Sequence, residues 1–371
     1  MAIGLDPSAR LSQSIVMKIL ITGGAGFIGS AVVRHFVKDR GLNVINVDKL
    51  TYAGNLSSVS SVAEFPGYSF EHHDICDRVA VDRIFKAHAP DAVIHLAAES
   101  HVDRSIDGPA QFLETNVKGT FTLLESARTY WCGLSETEKK RFRFLHVSTD
   151  EVYGSLGEEG QFSEDSQYRP NSPYAASKAA ADHFARAWHQ TYESPVIISN
   201  CSNNYGPFQF PEKMVPTMIL AGLEGRQLPV YGNGSNVRDW LHVDDHATAL
   251  YAILSKGKLG HSYNVGGGVE KQNIEVVEAI CKVLDELSPN KKIIPHRDLI
   301  TFVSDRPGHD YRYSVSCNKL KNELEWSPDR NFEEGLTQTV RWYLENQEWW
   351  QPIRKKHDGG RLGSGMSETG T

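Results

Sequence analysis

The 371-residue sequence lacks a basic excess, long apolar runs and paired cysteines. It has 39 Lys and Arg residues and 46 Asp and Glu residues, and this acidic balance argues against general nucleic-acid binding. No run approaches the ~18 apolar residues of a membrane span, and the first residues do not resemble a secretory signal. The five cysteines are odd in number, widely spaced and without Cys-x-x-Cys, which favours reduced thiols. We therefore expect a soluble, cytoplasmic protein. His95 and His101 have no third ligand at suitable spacing, so we expect no metal site.

Short apolar runs alternate with amphipathic segments through the first half of the chain. The runs read as buried strands at 18–22, 44–48, 92–97, 142–148 and 196–200. Helical patterns lie between them, as at 28–38 and 110–130. This alternation predicts a Rossmann-type, doubly wound parallel α/β sheet. After about residue 200 the pattern breaks into shorter pieces with more Pro, Gly and Arg, which favours a smaller mixed α/β domain. We expect an N-terminal extension at 1–16, the sheet domain at 17–200, the smaller domain mainly at 201–350 with some segments returning to the sheet, and a flexible tail at 351–371.

A glycine-rich loop directly follows the first strand. Gly23, Gly26 and Gly29, with Phe27 and Ile28 between the last two, fit G-x-x-G-x-x-G. Such a loop needs glycine for a tight turn and for close approach of the backbone to a pyrophosphate at the helix N-terminus. A glycine pattern alone equally marks a tight turn, but here the strand, the helix and a later acid all take the required positions.

That later acid is Asp48, at the end of the second strand and about 20 residues after the loop. Its carboxylate can accept the ribose hydroxyls of NAD and would repel the 2′-phosphate of NADP, although Lys49 beside it weakens the argument. Asp74 and Ile75 follow the third strand and are expected to border the adenine. The small residues near the end of the fourth strand would let the backbone approach the cofactor; these are Leu96, Ala97 and Ala98.

Tyr174 and Lys178 form a Y-x-x-x-K pair on a predicted helix, so both side chains share one face. A free tyrosine has a pKa of ~10, and accepting a proton near neutral pH needs a shift of ~3 units. We expect Lys178 and a positively charged nicotinamide to supply that shift. By itself the pattern is common, and an exposed helix pair is the ordinary alternative.

With these motifs the sequence resembles the extended short-chain dehydrogenases, and within them the dTDP-glucose 4,6-dehydratases. The resemblance covers roughly residues 17 to 343. It rests on the runs MKILITGGAGFIGS, VDKLTYAGN, HLAAESHVDRSI, STDEVYG, NSPYAASKA, NCSNNYGPFQFPEK, VRDWLHVDDHA and RPGHD. The distinguishing feature is Thr149-Asp150-Glu151, because epimerases and simple oxidoreductases generally carry Ser or Thr there without the acid pair.

Dehydration of a hexose explains why two acids are useful. Oxidising C4 to a ketone makes the C5 hydrogen acidic, so one carboxylate can remove it while a protonated group donates to the departing C6 oxygen. The resemblance implies that Tyr174 takes the C4 hydroxyl proton, Glu151 is the C5 base, Asp150 is the C6 acid and Thr149 orients the C4 hydroxyl. Since successive strand residues point to opposite faces, both acids can reach one sugar only if the strand ends by Asp150.

A nucleoside diphosphate needs local cations in this acidic protein, and the candidates are Lys213, Arg238 and Arg306. The resemblance adds further substrate positions: Ser100, Thr149, Asn203, Met214, Pro229, Tyr231, Asn273, Asp305 and His309. It adds further NAD positions: Leu50, Thr51, Thr115 and Asn204. It also implies tightly held NAD, a dTDP-glucose substrate, and a homodimer formed through helices near 110–130 and 173–192.

Other functions on the same scaffold stay open at this point. A UDP-sugar epimerase, a UDP-glucuronate decarboxylase and a GDP-mannose 4,6-dehydratase share the cofactor loop. The acid pair Asp150-Glu151 argues against the epimerase, and the run NNYGPFQFPEK favours a thymidine nucleotide. A non-catalytic NAD-sensing protein would have no need of both acids together with Tyr174 and Lys178.

Overall fold

The computed structural model describes residues 16–288, 293 and 295–356 of the chain. The strands are β1 (Lys18–Thr22), β2 (Asn43–Asp48), β3 (Tyr68–His72), β4 (Ala92–His95), β5 (Arg143–Thr149), β6 (Val196–Cys201), β7 (Asn203–Tyr205), β8 (Leu228–Tyr231), β9 (Val237–His242), β10 (Ser262–Val265), β11 (Glu270–Gln272) and β12 (Ile300–Val303). The helices are α1 (Phe27–Arg34), α2 (Arg78–His88), α3 (Val102–Asp107), α4 (Pro109–Phe112), α5 (Thr120–Cys132), α6 (Glu136–Arg141), α7 (Pro173–Tyr192), α8 (Met214–Leu223), α9 (Val243–Lys256), α10 (Asn273–Leu287), α11 (Asn318–Leu324), α12 (Phe332–Glu345) and α13 (Gln347–Lys356). None of these helices is long and apolar enough to cross a membrane.

A seven-stranded sheet in the order β10-β6-β5-β4-β1-β2-β3 forms the centre of the molecule. All of its neighbouring strands are parallel. Chain order reverses between β1 and β4, which creates the switch point where doubly wound folds bind ligands. The Rossmann-type prediction is confirmed. The fourth strand ends at His95, two residues before the predicted end, so Leu96 and Ala97 belong to the loop.

Helices cover both faces of the sheet. Residues of α1 and α9 pack in one apolar core, and residues of α2, α5 and α7 pack in another on the opposite face. The predicted helix at 28–38 is α1 continued by a π-helical turn, His35–Asp39. The predicted helix at 110–130 begins at Pro109 and contains a π-helical turn, Leu113–Gly119. A side chain at Gly119 would collide with Ile75, at 2.6 Å, so this turn brings the helix close to the loop after β3.

The second half of the chain builds the smaller part of the molecule and returns to the sheet. It forms a three-stranded sheet, β11-β9-β7, and a two-stranded sheet, β12-β8, around a core that includes α8, α10, α12 and α13. Strand β10 completes the seven-stranded sheet.

The chain end within the described residues is helical. Residues 351–356 belong to α13 and not to the expected tail, because Trp350 and Ile353 are buried in the core of the smaller part. Trp349 donates from Nε1 to Ser58 Oγ at 3.2 Å and so ties α13 to the first half. The expected extension at 1–16 and the rest of the tail lie outside the described residues, apart from Val16.

Candidate active site

A cavity of about 310 Å³ opens at the carboxyl ends of the parallel strands. It is lined by all but one of the predicted cofactor residues: Gly23, Gly26, Phe27, Ile28, Gly29, Asp48, Lys49, Thr51, Asp74, Ile75, Leu96, Ala97, Ala98, Thr115, Tyr174, Lys178 and Asn204. The exception is Leu50, which lies outside the lining but donates its backbone N–H to Asp48 Oδ1 at 2.8 Å. The catalytic candidates Thr149, Asp150 and Glu151 line the same cavity.

The glycine loop leaves no room for side chains at two positions. Gly23 has φ of 74°, and a Cβ there would lie 2.7 Å from the Ala97 backbone. A Cβ at Gly29 would lie 2.0 Å from the carbonyl oxygen of Gly23. The glycine loop is therefore packed closely against the loop that follows β4 and against the first turn of α1. This is the close packing that a pyrophosphate-binding turn requires.

Asp48 is held at the end of β2 by the backbone. Its Oδ2 accepts the N–H of Ala25 at 2.9 Å, and burial raises its pKa against the opposing effect of the hydrogen bonds from Leu50 and Ala25. Lys49 is directed away, because its Nζ pairs with Asp74 Oδ2 at 2.6 Å. The objection that Lys49 raised to a ribose-binding carboxylate is thereby reduced.

Strand β5 ends at Thr149, and Asp150–Tyr153 forms a 3₁₀ turn. The Thr149 hydroxyl accepts the N–H of Glu151 at 3.3 Å and donates to Asp150 Oδ1 at 3.3 Å. The strand thus ends where the expectation for the acid pair required it to end. Both acids face the same cavity.

The environments of the two acids differ. Asp150 is buried, and burial followed by the charges of Glu151 and Asp239 raises its pKa well above the usual value. Burial also raises the pKa of Glu151, but the charges of Arg306, Arg238 and Lys213 oppose this. Separated environments for paired carboxyls are typical of a site that needs one acid and one base. Asp150 has the environment of the acid.

Tyr174 and Lys178 lie one helical turn apart on α7, both buried. Burial and the charge of Glu151 raise the pKa of Tyr174 well above its usual value, although a hydrogen bond with Thr149 opposes this. The chain alone therefore does not produce the lowered pKa that proton acceptance requires. Lys178 donates from Nζ to the carbonyl of Val147 at 2.8 Å.

A second cavity, of about 350 Å³, adjoins the first. Among its lining residues are ten predicted substrate residues: Ser100, Asn203, Lys213, Met214, Pro229, Tyr231, Arg238, Asn273, Arg306 and His309. The remaining two predicted substrate residues lie elsewhere: Thr149 lines the first cavity, and Asp305 accepts from His309 Nδ1 at 2.7 Å without lining either. Both cavities share Ser100, Glu151, Asn203, Phe210, Glu212 and Lys213.

The three predicted cations are held differently. Arg238 donates to the carbonyls of Val237, Tyr311 and Asp310 at 2.7 to 3.3 Å. Arg306 bonds Asp103 Oδ1 at 3.3 Å, while its buried Nε has no hydrogen-bond partner within the described structure. Lys213 donates to the carbonyl of Ser100 at 2.8 Å. A buried, unpartnered donor beside two further cations suits an anionic ligand.

The sequence interpretation missed a contact that joins the two halves of the chain beside the first cavity. Tyr52 Oη donates to Glu212 Oε1 at 3.0 Å, and the guanidinium of Arg104 lies 3.6 Å from the centre of the Tyr52 ring. We call the hydrogen bond between Tyr52 and Glu212 the clasp. Both residues stand in motifs quoted above, but their pairing bridges distant segments and has no sequence signal.

The chain is similar to proteins that are already known. The family described as GDP-mannose 4,6 dehydratase matches residues 20–339. A probable dTDP-glucose 4,6-dehydratase from Sinorhizobium fredii is 61% identical over 94% of this chain and 99% of its own. Two solved dTDP-glucose 4,6-dehydratases with NAD bound, from Bacillus anthracis and Streptomyces venezuelae, are 45% and 44% identical, with TM-scores of 0.80 and 0.83. Each covers 91% of this chain and 100% of its own. The chain therefore belongs to the extended short-chain dehydrogenases, in the group of sugar-nucleotide 4,6-dehydratases that includes the dTDP-glucose enzymes.

Proposed function

We propose that this protein is an NAD-dependent dTDP-glucose 4,6-dehydratase, a hydro-lyase that yields dTDP-4-keto-6-deoxy-glucose. The observation that carries the proposal is the adjacent acid pair Asp150 and Glu151 in one cavity with Tyr174 and Lys178, with the two acids in different electrostatic environments. An epimerase needs no such pair. The high identity to dTDP-glucose 4,6-dehydratases over nearly the whole chain supports the choice of substrate.

The first cavity fits NAD. Gly23 and Gly29 leave space only for backbone where a pyrophosphate would approach, and Asp48 presents a carboxylate at the ribose position. Bound there, NAD would supply the reversible hydride chemistry that oxidation at C4 and reduction at C6 require, with no net consumption of the cofactor. We expect the purified protein to carry NAD. A clear preference for NADP in binding assays would contradict this assignment.

The side chains of the chain then divide the proton transfers. Tyr174 accepts the proton of the C4 hydroxyl, with Thr149 orienting that hydroxyl; the positive charge of the oxidised cofactor is needed to lower the pKa of Tyr174. Glu151 removes the C5 proton, since the three cations near it favour its ionised form. Asp150 donates to the departing C6 oxygen, since its buried position keeps its proton.

The substrate is tested by incubating the protein separately with dTDP-glucose, UDP-glucose and GDP-mannose. We expect a 4-keto-6-deoxy product from dTDP-glucose, with far less from the other two. Formation of a 4-epimer, or equal conversion of GDP-mannose, would overturn the proposed function. The Tyr174→Phe variant is the matched control, because it keeps the ring and loses the group that accepts the proton.

We infer also that the protein forms a homodimer through α5, α7 and the turn before α5. These elements expose large apolar side chains: Leu113, Phe121, Phe184 and Tyr192. The rings of Phe121 and Phe184 lie with their centres 6.3 Å apart, and neighbouring exposed apolar side chains favour a protein partner. Light scattering of the wild type and of the variants Phe121→Glu and Phe184→Glu measures the oligomeric state and so checks this inference. A wild-type monomer would contradict it. The cytoplasmic location remains a prediction.

A further inference from the structure

A buried carboxylate that the proposed mechanism does not use lies one helical turn beyond Lys178. Asp182 is fully buried on α7 and accepts four hydrogen bonds. The donors are His146 Nε2 at 3.0 Å, Ser148 Oγ at 2.9 Å, Tyr168 Oη at 2.9 Å and Asn200 Nδ2 at 3.2 Å. An isolated buried carboxylate is costly, so this many donors indicates a group kept ionised.

The donors tie the carboxylate to the strand that carries the catalytic residues. His146 and Ser148 belong to β5, and Asn200 on β6 also donates to the carbonyl of Thr149 at 3.2 Å. The carbonyl that Lys178 contacts, that of Val147, lies between the two β5 donors. Asp182 therefore fixes the stretch of β5 that ends at Thr149.

Lys178 is buried against this network and needs a negative charge. Burial lowers its pKa, and the charges of Asp182 on its own helix and of Cys201 on β6 oppose that effect. Burial raises the pKa of the Cys201 thiol to about 12, so this thiol is neutral near pH 8. The titratable groups of the neighbouring elements are His95 on β4, His146 on β5, Asp150 and Glu151 on the 3₁₀ turn, and Tyr174 on α7. Burial lowers the pKa of both histidines, which are therefore neutral.

We propose that Asp182 is a positioning residue that keeps Lys178 in its ammonium form and holds the end of β5 in place for the reaction. The proposal rests on the proposed function for its catalytic consequence. Asp182 touches neither cavity and acts through Lys178 and through the backbone of β5. Without its charge, Lys178 would lose its proton at a lower pH, and the site would lose the positive charge beside Tyr174.

The first test compares Asp182→Asn with Tyr168→Phe. The amide keeps the shape of the carboxyl and removes its charge, whereas Tyr168→Phe removes one donor and leaves the charge. In Asp182→Asn we expect the alkaline limb of the kcat profile to move to lower pH by about one unit or more. In Tyr168→Phe the limb should stay at its wild-type position. An unmoved limb in Asp182→Asn, or an equal movement in both variants, would overturn the proposal.

A second measurement does not depend on substrate or on how well Asp182→Asn folds. In wild-type protein labelled with ¹⁵N at lysine Nζ, the Lys178 signal, assigned with Lys178→Met, should be that of an ammonium at pH 8. A neutral amine at that pH would sink the proposal even if dTDP-glucose is converted. An ammonium in a protein that converts no dTDP-glucose would instead sink the proposed function and leave the role of Asp182 standing.

Discussion

The two cavities of the site are built by different means, although they share a wall. In the first cavity, which we propose holds NAD and call the cofactor cavity, the contacts come from loops at the ends of neighbouring parallel strands, such as the Gly23–Ala97 approach and the carboxylate of Asp48. In the second cavity, which we propose holds the substrate nucleotide and call the nucleotide cavity, long side chains such as Arg238 and Arg306 reach in from separate segments. The ends of neighbouring parallel strands lie side by side because the sheet places them there, whereas each long side chain must be held in position by its own partners. The first cavity should therefore lose chemistry when altered, and the second should lose affinity or stability.

The largest effect is expected at Asp150 and Glu151, which we propose act on the sugar. Glu151→Gln and Asp150→Asn should each lower product formation by ~10²–10⁴-fold, because an amide can neither accept nor donate the required proton. Glu151→Gln should still oxidise C4 but lose deuterium incorporation at C5, and Asp150→Asn should lose elimination more than exchange. Mass spectrometry in D₂O separates the two. Equal exchange would mean that the roles are assigned wrongly.

A smaller effect is expected in the nucleotide cavity, where substitutions of the two arginines should have different consequences. Removing a charged hydrogen bond costs about 1.5–3 kcal/mol, so Arg306→Ala should weaken dTDP binding by roughly 10- to 150-fold. Arg238→Ala should also weaken dTDP binding and should lower Tm more, because three backbone carbonyls lose their donor. Calorimetric titration and thermal unfolding measure both. If dTDP affinity is unchanged, that arginine does not belong to the site.

The smallest effect is expected at the clasp, which joins the two halves of the chain and has no proposed role in proton or hydride transfer. Tyr52→Phe keeps the ring beside Arg104 and Phe210 but loses the hydrogen bond to Glu212. NAD should dissociate about 2- to 10-fold faster, because the net contribution of a typical intramolecular hydrogen bond is about 0.5–1.5 kcal/mol. Stopped-flow exchange against a fluorescent NAD analogue gives the rate. Tyr68→Phe, whose lost hydroxyl accepts a hydrogen bond from Asn46 Nδ2 and lines neither cavity, is the matched control. Equal rates in wild type and Tyr52→Phe would remove the clasp from cofactor retention.

The sequence could predict the cofactor cavity better than it could predict the contacts between distant segments. Gly23, Gly29 and Asp48 were predictable because strand, turn and helix N-terminus follow one another along the chain. Asp305 was predicted to line the nucleotide, but it lines neither cavity and accepts a hydrogen bond from His309, since a loop motif does not say which of its side chains faces the cavity. Tyr52 and Asp182 were missed because their partners are distant in sequence, the donors to Asp182 coming from three separate segments.

The contacts between early and late segments of the chain have a consequence for synthesis on the ribosome. Strand β10, which completes the central sheet, and Trp349, which bonds Ser58, both emerge after every other strand of that sheet. Until β10 emerges, β6 is therefore an exposed edge of the sheet in the nascent chain, and exposed edges are prone to aggregation. A chain stalled before residue 262 should expose that edge to chaperones. The protein should become resistant to protease when α13 leaves the ribosome and Trp349 can bond Ser58.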